Sequence, residues 1–226
     1  MLLSHNSYIT LCEKIEGGYF MNTNPIKDSG DRTNFDSGAV RDLRVGKGRM
    51  DLVPLDIANF LINYAPTTPF RIERENHPVD YTLCNMDEFI YNGSDTAMVA
   101  AMYDMILHSD VFVDAYLETA KELEVEVDLD KVTARELVAN AILVCSRHFE
   151  NGTLKYGERN WEKGMPVHVY VDSGARHYVK MLAGFMDEPH HLAALWNMMC
   201  AQWTFQRRKD LNDLPCGKSS NETAFK

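Results

Sequence analysis

The sequence predicts a mostly α-helical protein, and two observations support that prediction. Apolar residues recur at helical spacing over much of the chain after Ser94, while strand-type patterns are rare. The box Thr133-x-x-Glu136 opens the longest of these segments, because a threonine cap and a glutamate three residues later satisfy free N–H groups at a helix start. We therefore expect a helical fold with no internal repeat.

The first third of the chain has few helix signals. Residues 1–36 are rich in turn-forming residues and predict an irregular N-terminal arm. Glycine and charged residues dominate residues 37–51. A helix is expected from just after Pro54 to about Tyr64, where two prolines follow and end it.

Helix signals become frequent from Ser94 onward. Helices are predicted from Ala97 to Leu107 and from Phe112 to Leu123, followed by an acidic break. The helix opened by the capping box has Gly152 as its expected C-terminal stop. Residues 66–93 are rich in proline and polar residues and give a weak helix signal.

Two further helices are expected near the C-terminus. A short β-prone stretch, Val167 to Val171, precedes a helix capped by Asp172 or Ser173. The last helix is expected to begin at Asp187 or Glu188. Its apolar stripe contains Leu192, Leu195, Trp196, Met199 and Trp203.

Composition narrows the class of protein. The 226 residues are 45% hydrophobic and 25% charged, which is ordinary for a globular domain. The net charge of −10 disfavours nucleic-acid polymers as partners. No apolar run approaches the ~20 residues of a membrane span, and no secretory signal pattern is present. The five cysteines are scattered, so we expect reduced thiols and a cytoplasmic location.

Carboxylate and imidazole groups cluster around the start of the last helix. Asp187 and His191 are four residues apart, and Glu188 and His191 are three apart, so these side chains share one helical turn. Such groups can ligate one divalent ion. The alternative is that both acids only cap the helix and complement its dipole.

Glu150 is a further candidate ligand. It lies near the end of the helix that the capping box opens, where a carboxylate opposes the helix dipole and needs another source of stabilisation. A bound cation would provide it, and solvent exposure is the alternative.

A loop dense in cations, amides and aromatics spans residues 155–164. Its cations suit phosphate neutralisation, and its Asn and Trp suit contact with a base. The alternative is a packed connector in which Tyr156 and Trp161 anchor the core. Next along the chain, Arg176 is a candidate phosphate ligand, and His177 a candidate metal ligand or general acid. Gly46-Lys47-Gly48-Arg49 resembles a phosphate-gripping turn in composition only, since the P-loop spacing is missing.

Three groups of residues carry a resemblance to a known family. They are the run Ser37-Gly38-Ala39-Val40-Arg41-Asp42 with Gly46 to Pro54, the run His148-Phe149-Glu150-Asn151-Gly152 with Lys155 to Gly164, and Ala175-Arg176-His177 with His191 to Asn197. Read together, they resemble the phage-associated dATP/dGTP diphosphohydrolase family, related to MazG-like all-α nucleotide pyrophosphohydrolases. The usual paired motif of MazG proteins, E-x-x-E followed by E-x-x-D, is not present, and Glu188-x-x-His191 is a candidate substitute for its second half.

The resemblance implies a domain organisation. It predicts a MazG-like helical bundle from residues 37–65 and 133–210, an inserted helical segment at 66–132, and a flexible tail at 211–226. By the same resemblance we expect a homo-oligomer, a dimer or tetramer, located in the host cytoplasm if the chain is phage-encoded.

The resemblance also implies an activity. It is the hydrolysis of dGTP or dATP to the monophosphate and pyrophosphate with Mg²⁺, or Mn²⁺ or Co²⁺, as cofactor. The predicted metal ligands are Glu150, Asp187, Glu188 and His191, and the predicted catalytic residues are His177 and Glu188. The predicted nucleotide-binding residues are Lys47, Arg49, Lys155, Tyr156, Arg159, Asn160, Trp161, Lys163, Arg176 and Asn197. Two alternatives remain: a protein that binds a nucleotide signal without turnover, and an interaction protein with an acidic helical surface.

Overall fold

The computed structural model describes residues 32–42 and 46–217. The chain divides into two compact units, residues 1–45 and 46–226. Most of the predicted N-terminal arm lies outside the described residues. In the first unit, β1 (Arg32–Asn34) pairs antiparallel with β2 (Val40–Asp42), with Thr33 opposite Arg41.

The described part of the second unit is helical, which confirms the predicted fold class. Its α-helices are α1 (Leu55–Tyr64), α2 (Phe70–Asn76), α3 (Thr82–Asn92), α4 (Asp95–His108), α5 (Asp110–Glu122), α6 (Ala134–Tyr156), α7 (Val167–Leu182) and α8 (His190–Arg207). Short 3-10 turns occur at Met50–Leu52, Asn160–Lys163, Lys209–Leu211 and Pro215–Gly217.

Helix α4 lies at the centre of the second unit. It is apolar on nearly all sides, with Met98, Met102, Met105 and Ile106 fully buried. A helix with that pattern must be surrounded by other elements. Accordingly, α4 packs against α1, α2, α3, α6 and α8.

The segment 66–132, predicted as an insertion, supplies α2 to α5 and therefore part of this same core. The domain boundaries stay a prediction. Within the predicted tail, Leu214 is buried, and residues 218–226 lie outside the described part of the chain. No single described helix is long and apolar enough to cross a membrane, although α4 and α5, bent by 71°, meet that criterion as a pair.

The capping box at the start of α6 is confirmed. The Thr133 hydroxyl accepts a hydrogen bond from the Glu136 backbone N–H at 3.2 Å, and the Glu136 carboxylate accepts one from the Thr133 backbone N–H at 2.7 Å. The predicted stop at Gly152 is wrong, since α6 continues to Tyr156 and ends at Gly157, whose φ of +83° favours glycine.

Two other expectations near the C-terminus are corrected. Val167 to Val171 form the first turn and a half of α7 rather than a β-prone stretch, because Val167 and Val171, four residues apart, are buried on one helix face. Helix α8 begins at His190 after Pro189, so Asp187 and Glu188 belong to the preceding loop and do not cap it. Those two carboxylates are thereby available for other contacts.

A partly buried carboxyl group gives the fold a testable pH dependence. Burial raises the pKa of Asp104, on α4, to about 6. The Asn85 amide donates a hydrogen bond to the Asp104 carboxylate at 2.7 Å. The other titratable groups near this carboxylate are His77, Asp80, His108 and the phenols of Tyr64, Tyr103 and Tyr178. A raised pKa means that the folded state binds this proton more tightly than the unfolded chain does.

We predict that Asp104→Asn raises the free energy of unfolding at pH 7.5, by on the order of 1–2 kcal/mol after allowance for partial exposure. The stabilising contribution of protonated Asp104 is complete below about pH 4 and is lost as the pH rises through about 6. The difference between variant and wild type in urea unfolding should therefore grow from pH 4 to pH 7. Parallel stability profiles over that range would contradict the prediction.

Candidate functional site

Helices α7 and α8 form an antiparallel hairpin that brings two histidines together. His177 lies on α7, His190 is the first residue of α8, and Glu188 lies in the connecting loop. The Nδ1 atoms of His177 and His190 are 3.0 Å apart. Glu188 Oε1 is 3.5 Å from each of them. The three donor atoms thus form a compact triangle, called here the His–His–Glu cluster.

A carboxylate outside the triangle fixes the ring of His190. His190 Nε2 is 2.9 Å from Asp187 Oδ1, and this hydrogen bond holds the pKa of Asp187 below its usual value. In the tautomer in which Nε2–H donates this hydrogen bond to Asp187, Nδ1 of His190 has the free lone pair, which points into the triangle. Such carboxylate–histidine pairs orient the ligands of protein metal sites.

The triangle has the dimensions of a metal site. Donor atoms held ~2.1 Å from one ion lie ~3.0 Å apart at right angles and ~3.4 Å apart at tetrahedral angles. The observed separations of 3.0 and 3.5 Å match these values. Among the described residues, this is the one group of three or more His, Cys, Asp or Glu side chains with such spacing. The chemistry of the donors also fits, since two imidazoles and a carboxylate suit Mn²⁺, Co²⁺ or Zn²⁺ better than Mg²⁺.

The cluster opens into a cavity of about 400 Å³. His177 and Glu188 line this cavity, as do Trp161, Trp196 and Asn197. Further lining residues are Leu52, His148, Phe149, Gly152, Thr153, Tyr156, Gly157, Arg159, Asn160, Met165, Val169, Ser173 and Ala193. The cavity therefore joins aromatic and amide groups to the carboxylate and imidazole of the cluster.

The aromatic wall of the cavity is held by packing and hydrogen bonds. Trp161 is buried, and its indole N–H donates to the Leu52 carbonyl at 3.1 Å. The Tyr170 hydroxyl donates to the Trp161 carbonyl at 3.2 Å. The Trp161 ring packs edge-on against Trp203, with centroids 5.0 Å apart. Trp161 therefore both anchors its loop to the core and forms part of the cavity wall.

The structure places Glu150 outside the His–His–Glu cluster. Its two carboxylate oxygens accept hydrogen bonds from the backbone N–H groups of Gly46 at 3.2 Å and Gly48 at 2.9 Å. Because α6 continues to Tyr156, Glu150 lies more than one turn before the helix end, and these two N–H donors stabilise its charge directly. Gly48 itself has φ of +84°, and a Cβ there would meet the Ser146 hydroxyl oxygen at 2.1 Å. Glu150 therefore fixes the 46–48 turn.

His191 also lies outside the cluster, although its neighbour His190 is part of it. The His191 ring packs edge-on against Phe112 at 5.4 Å, and burial lowers its pKa to about 4. Successive helical residues point about 100° apart, so only one of two adjacent histidines can face the loop. Of the four predicted metal ligands, the cluster contains Glu188 alone, and His177 and His190 complete it.

The predicted phosphate-binding cations occupy different environments. Arg159, in the left-handed region at φ of +53°, lines the cavity, donates to the Asp51 carbonyl at 2.5 Å and pairs with Glu162. Arg49 is held by Asp51 and Glu158, each at 2.6 Å. Arg176 pairs with Asp172.

The three predicted lysines are exposed and outside the cavity lining. Lys47 lies in the 46–48 turn, Lys155 sits 5.1 Å from the centre of the Tyr156 ring, and Lys163 donates to the Asn160 amide oxygen at 3.2 Å. Of the ten predicted nucleotide-binding residues, five line the cavity. These are Tyr156, Arg159, Asn160, Trp161 and Asn197.

Three site residues are missing from the sequence prediction. They are His190, which belongs to the cluster, and His148 and Trp196, which line the cavity. His148 lines the cavity near His177 and Glu188, and burial lowers its pKa. The adjacent pair His190-His191 is visible in the sequence, but the choice between the two depends on which face of α8 packs against α7.

Comparison with known proteins supports the resemblance stated above. Residues 121–214 match the model of the family described as dATP/dGTP diphosphohydrolase, N-terminal. This range contains the whole His–His–Glu cluster and every cavity-lining residue except Leu52. No curated protein and no solved structure matches the chain. The runs at 37–42 and 46–54 lie outside the matched range and stay a prediction, as does the relation to MazG-like proteins.

We predict that Asp187→Asn weakens metal binding about 10- to 100-fold, because the ligating ring of His190 loses its charged hydrogen-bond acceptor. Calorimetric titration with Mn²⁺ or Co²⁺ measures the change. Asp114→Asn, which alters an exposed carboxylate on α5, is the matched control and should bind metal as the wild type does. Equal affinities for all three proteins would contradict the assigned role of Asp187.

Proposed function

We propose that this protein is a metal-dependent hydrolase that converts dGTP or dATP to the monophosphate and pyrophosphate. One observation carries the proposal. His177 and Glu188, two of the three cluster residues, line the same cavity as Trp161, Trp196 and Asn160. A catalytic centre and a pocket for a base are therefore contiguous. The match of residues 121–214 to the dATP/dGTP diphosphohydrolase family supports the choice of substrate.

The cavity suits a planar base. Its volume of about 400 Å³ falls in the usual range for small-molecule sites. The indole rings of Trp161 and Trp196 offer flat apolar surface, and the exposed Asn160 offers an amide donor and acceptor to the edge of a base. The Asn197 amide instead donates a hydrogen bond to the Ala193 carbonyl at 2.8 Å, within its own helix. We therefore assign base recognition to Asn160 and a supporting role to Asn197.

In this proposal the cation is held by His177, Glu188 and His190, with Asp187 orienting His190. These residues would hold a divalent ion, which would supply Lewis acidity to a phosphoryl oxygen and to the attacking water. Two imidazole ligands favour Mn²⁺ or Co²⁺ over Mg²⁺ as that ion. Because His177 holds the cation in this proposal, it does not act as the general acid that the sequence analysis considered.

Glu188 and Arg159 complete the chemistry. Glu188 lines the cavity and faces the cluster through Oε1, so its second carboxylate oxygen can accept the proton of a water that attacks the α-phosphorus. The bond between that phosphorus and the bridging oxygen breaks, and pyrophosphate leaves. Arg159 lines the cavity, and its guanidinium can stabilise the negative charge that develops on the phosphates as pyrophosphate leaves.

The direct test is incubation of the full chain with each deoxynucleoside triphosphate and Mn²⁺, Co²⁺ or Mg²⁺, with products resolved by anion exchange. We expect a purine monophosphate and pyrophosphate, with faster turnover in Mn²⁺ or Co²⁺. A nucleotide that binds tightly and is released unchanged on denaturation, with every ion, would contradict hydrolysis and would favour the non-catalytic nucleotide-binding alternative.

We predict that Glu188→Gln lowers kcat at least about 100-fold, since it removes an anionic donor of the cluster and the proton acceptor together. Glu118→Gln, an exposed change on α5, is the control and should leave the rate unaltered. Circular dichroism checks that both variants keep the helical fold. A Glu188→Gln protein with wild-type kcat would remove Glu188 from the mechanism.

A further inference from the structure

A second cavity, of about 410 Å³, lies among the helices of the 66–132 segment and α1. It shares no lining residue with the cavity at the His–His–Glu cluster. Its functional groups are those of Tyr64, Glu73, His77, Tyr81, Asn85, Tyr103 and Asp104. None of its lining residues is a lysine or arginine. We call this space the acidic cavity.

The acidic cavity holds two carboxylates in a partly desolvated setting. The Glu73 side chain is only 12% exposed, and its ionic neighbour is the Nε2 atom of His77 at 3.8 Å. Asp104 is partly buried and accepts one hydrogen bond, from the Asn85 amide at 2.7 Å. Each carboxylate can accept about four hydrogen bonds, so both retain unused acceptor capacity. Partly buried negative charge of this kind is costly unless a cation balances it.

An independent observation points to a ligand. Tyr103 lines the cavity and is 6% exposed, yet its hydroxyl oxygen has no hydrogen-bond partner. A buried hydroxyl without a partner costs roughly 1–3 kcal/mol. Glu73 and Asp104 lie near this phenol and raise its pKa together with burial. A polar ligand in the cavity would supply the missing partner.

Aromatic rings form much of the remaining wall. The Tyr64 and Tyr103 rings meet edge to face with centroids 5.4 Å apart, and Tyr81 is half-exposed. Tyrosine faces attract ammonium groups through their quadrupole. We infer that the acidic cavity binds a small organic ammonium ion, whose charge Glu73 and Asp104 balance and whose N–H groups reach the Tyr103 hydroxyl.

The geometry favours an organic cation over a bare metal ion. In the part of the chain that the structure describes, the donor atoms of the His–His–Glu cluster all lie within 4.8 Å of one another, as ligands of one ion must. The donor atoms of Glu73, His77 and Asp104 do not form such a group. A cavity of this volume is also far larger than a single ion requires. Two carboxylates that line one cavity of this size suit a molecule with more than one ammonium group.

The experiment uses the full chain and 1,4-diaminobutane as the probe, at pH 8 and constant ionic strength. Calorimetry and thermal unfolding should show saturable binding and a raised Tm, beyond the effect of NaCl. Glu73→Gln and Asp104→Asn should each weaken binding about tenfold or more, because each removes a charge-assisted hydrogen bond. Tyr103→Phe tests the hydroxyl alone and should weaken binding several-fold in a protein that remains folded.

The controls separate this site from the proposed hydrolase. Glu75→Gln, an exposed change on the same helix as Glu73, should bind the diamine as the wild type does. Glu188→Gln should also retain diamine binding. No saturable binding, or equal binding by Glu73→Gln, would overturn the inference. Stabilisation by MgCl₂ but not by the diamine, lost in the same variants, would overturn it in favour of a metal site.

Discussion

The proposed chemistry depends on the close packing of α7 against α8. The contact face of α7 contains the small residue Gly174, and the facing positions of α8 include Ala194 and Asn197, so the two backbones approach closely. This packing sets His177 opposite His190 across the hairpin, and the short loop between the helices adds Glu188. The three ligand atoms therefore come from one rigid supersecondary unit rather than from distant parts of the chain.

In the proposed function, the site would let an acidic protein hold a polyanionic substrate. With a net charge of −10, the chain as a whole repels phosphates. Several nearby arginines are committed to carboxylates, such as Arg49 to Asp51 and Glu158. A divalent ion at the His–His–Glu cluster would neutralise the phosphates locally without a basic surface. The proposed metal dependence is consistent with this balance of charges and with the spacing of the three donor atoms.

Local patterns in the sequence predicted the features that depend on a few neighbouring residues. The capping box at Thr133 and Glu136 is one, since its hydrogen bonds close within one turn. The helical fold class is another, because it follows from apolar periodicity over long segments. Glu188 and His177 were also predicted as site residues from their residue types, and the structure brings their side chains within 3.5 Å of each other.

The features that the sequence did not predict depend on contacts between distant segments. The Glu150 carboxylate accepts hydrogen bonds from the N–H groups of Gly46 and Gly48, about a hundred residues earlier in the chain. The choice of His190 over His191 depends on which face of α8 meets His177 on α7, since adjacent helical residues point about 100° apart. Neither contact can be predicted from local composition.

Anomalous diffraction from crystals of the full chain soaked in Mn²⁺ tests the central claim most directly. We predict one strong peak between His177 Nδ1, His190 Nδ1 and the Glu188 carboxylate. A strong peak at Glu150 or His191 instead, or no peak near the cluster at saturating Mn²⁺, would contradict the claim that these three side chains hold the ion.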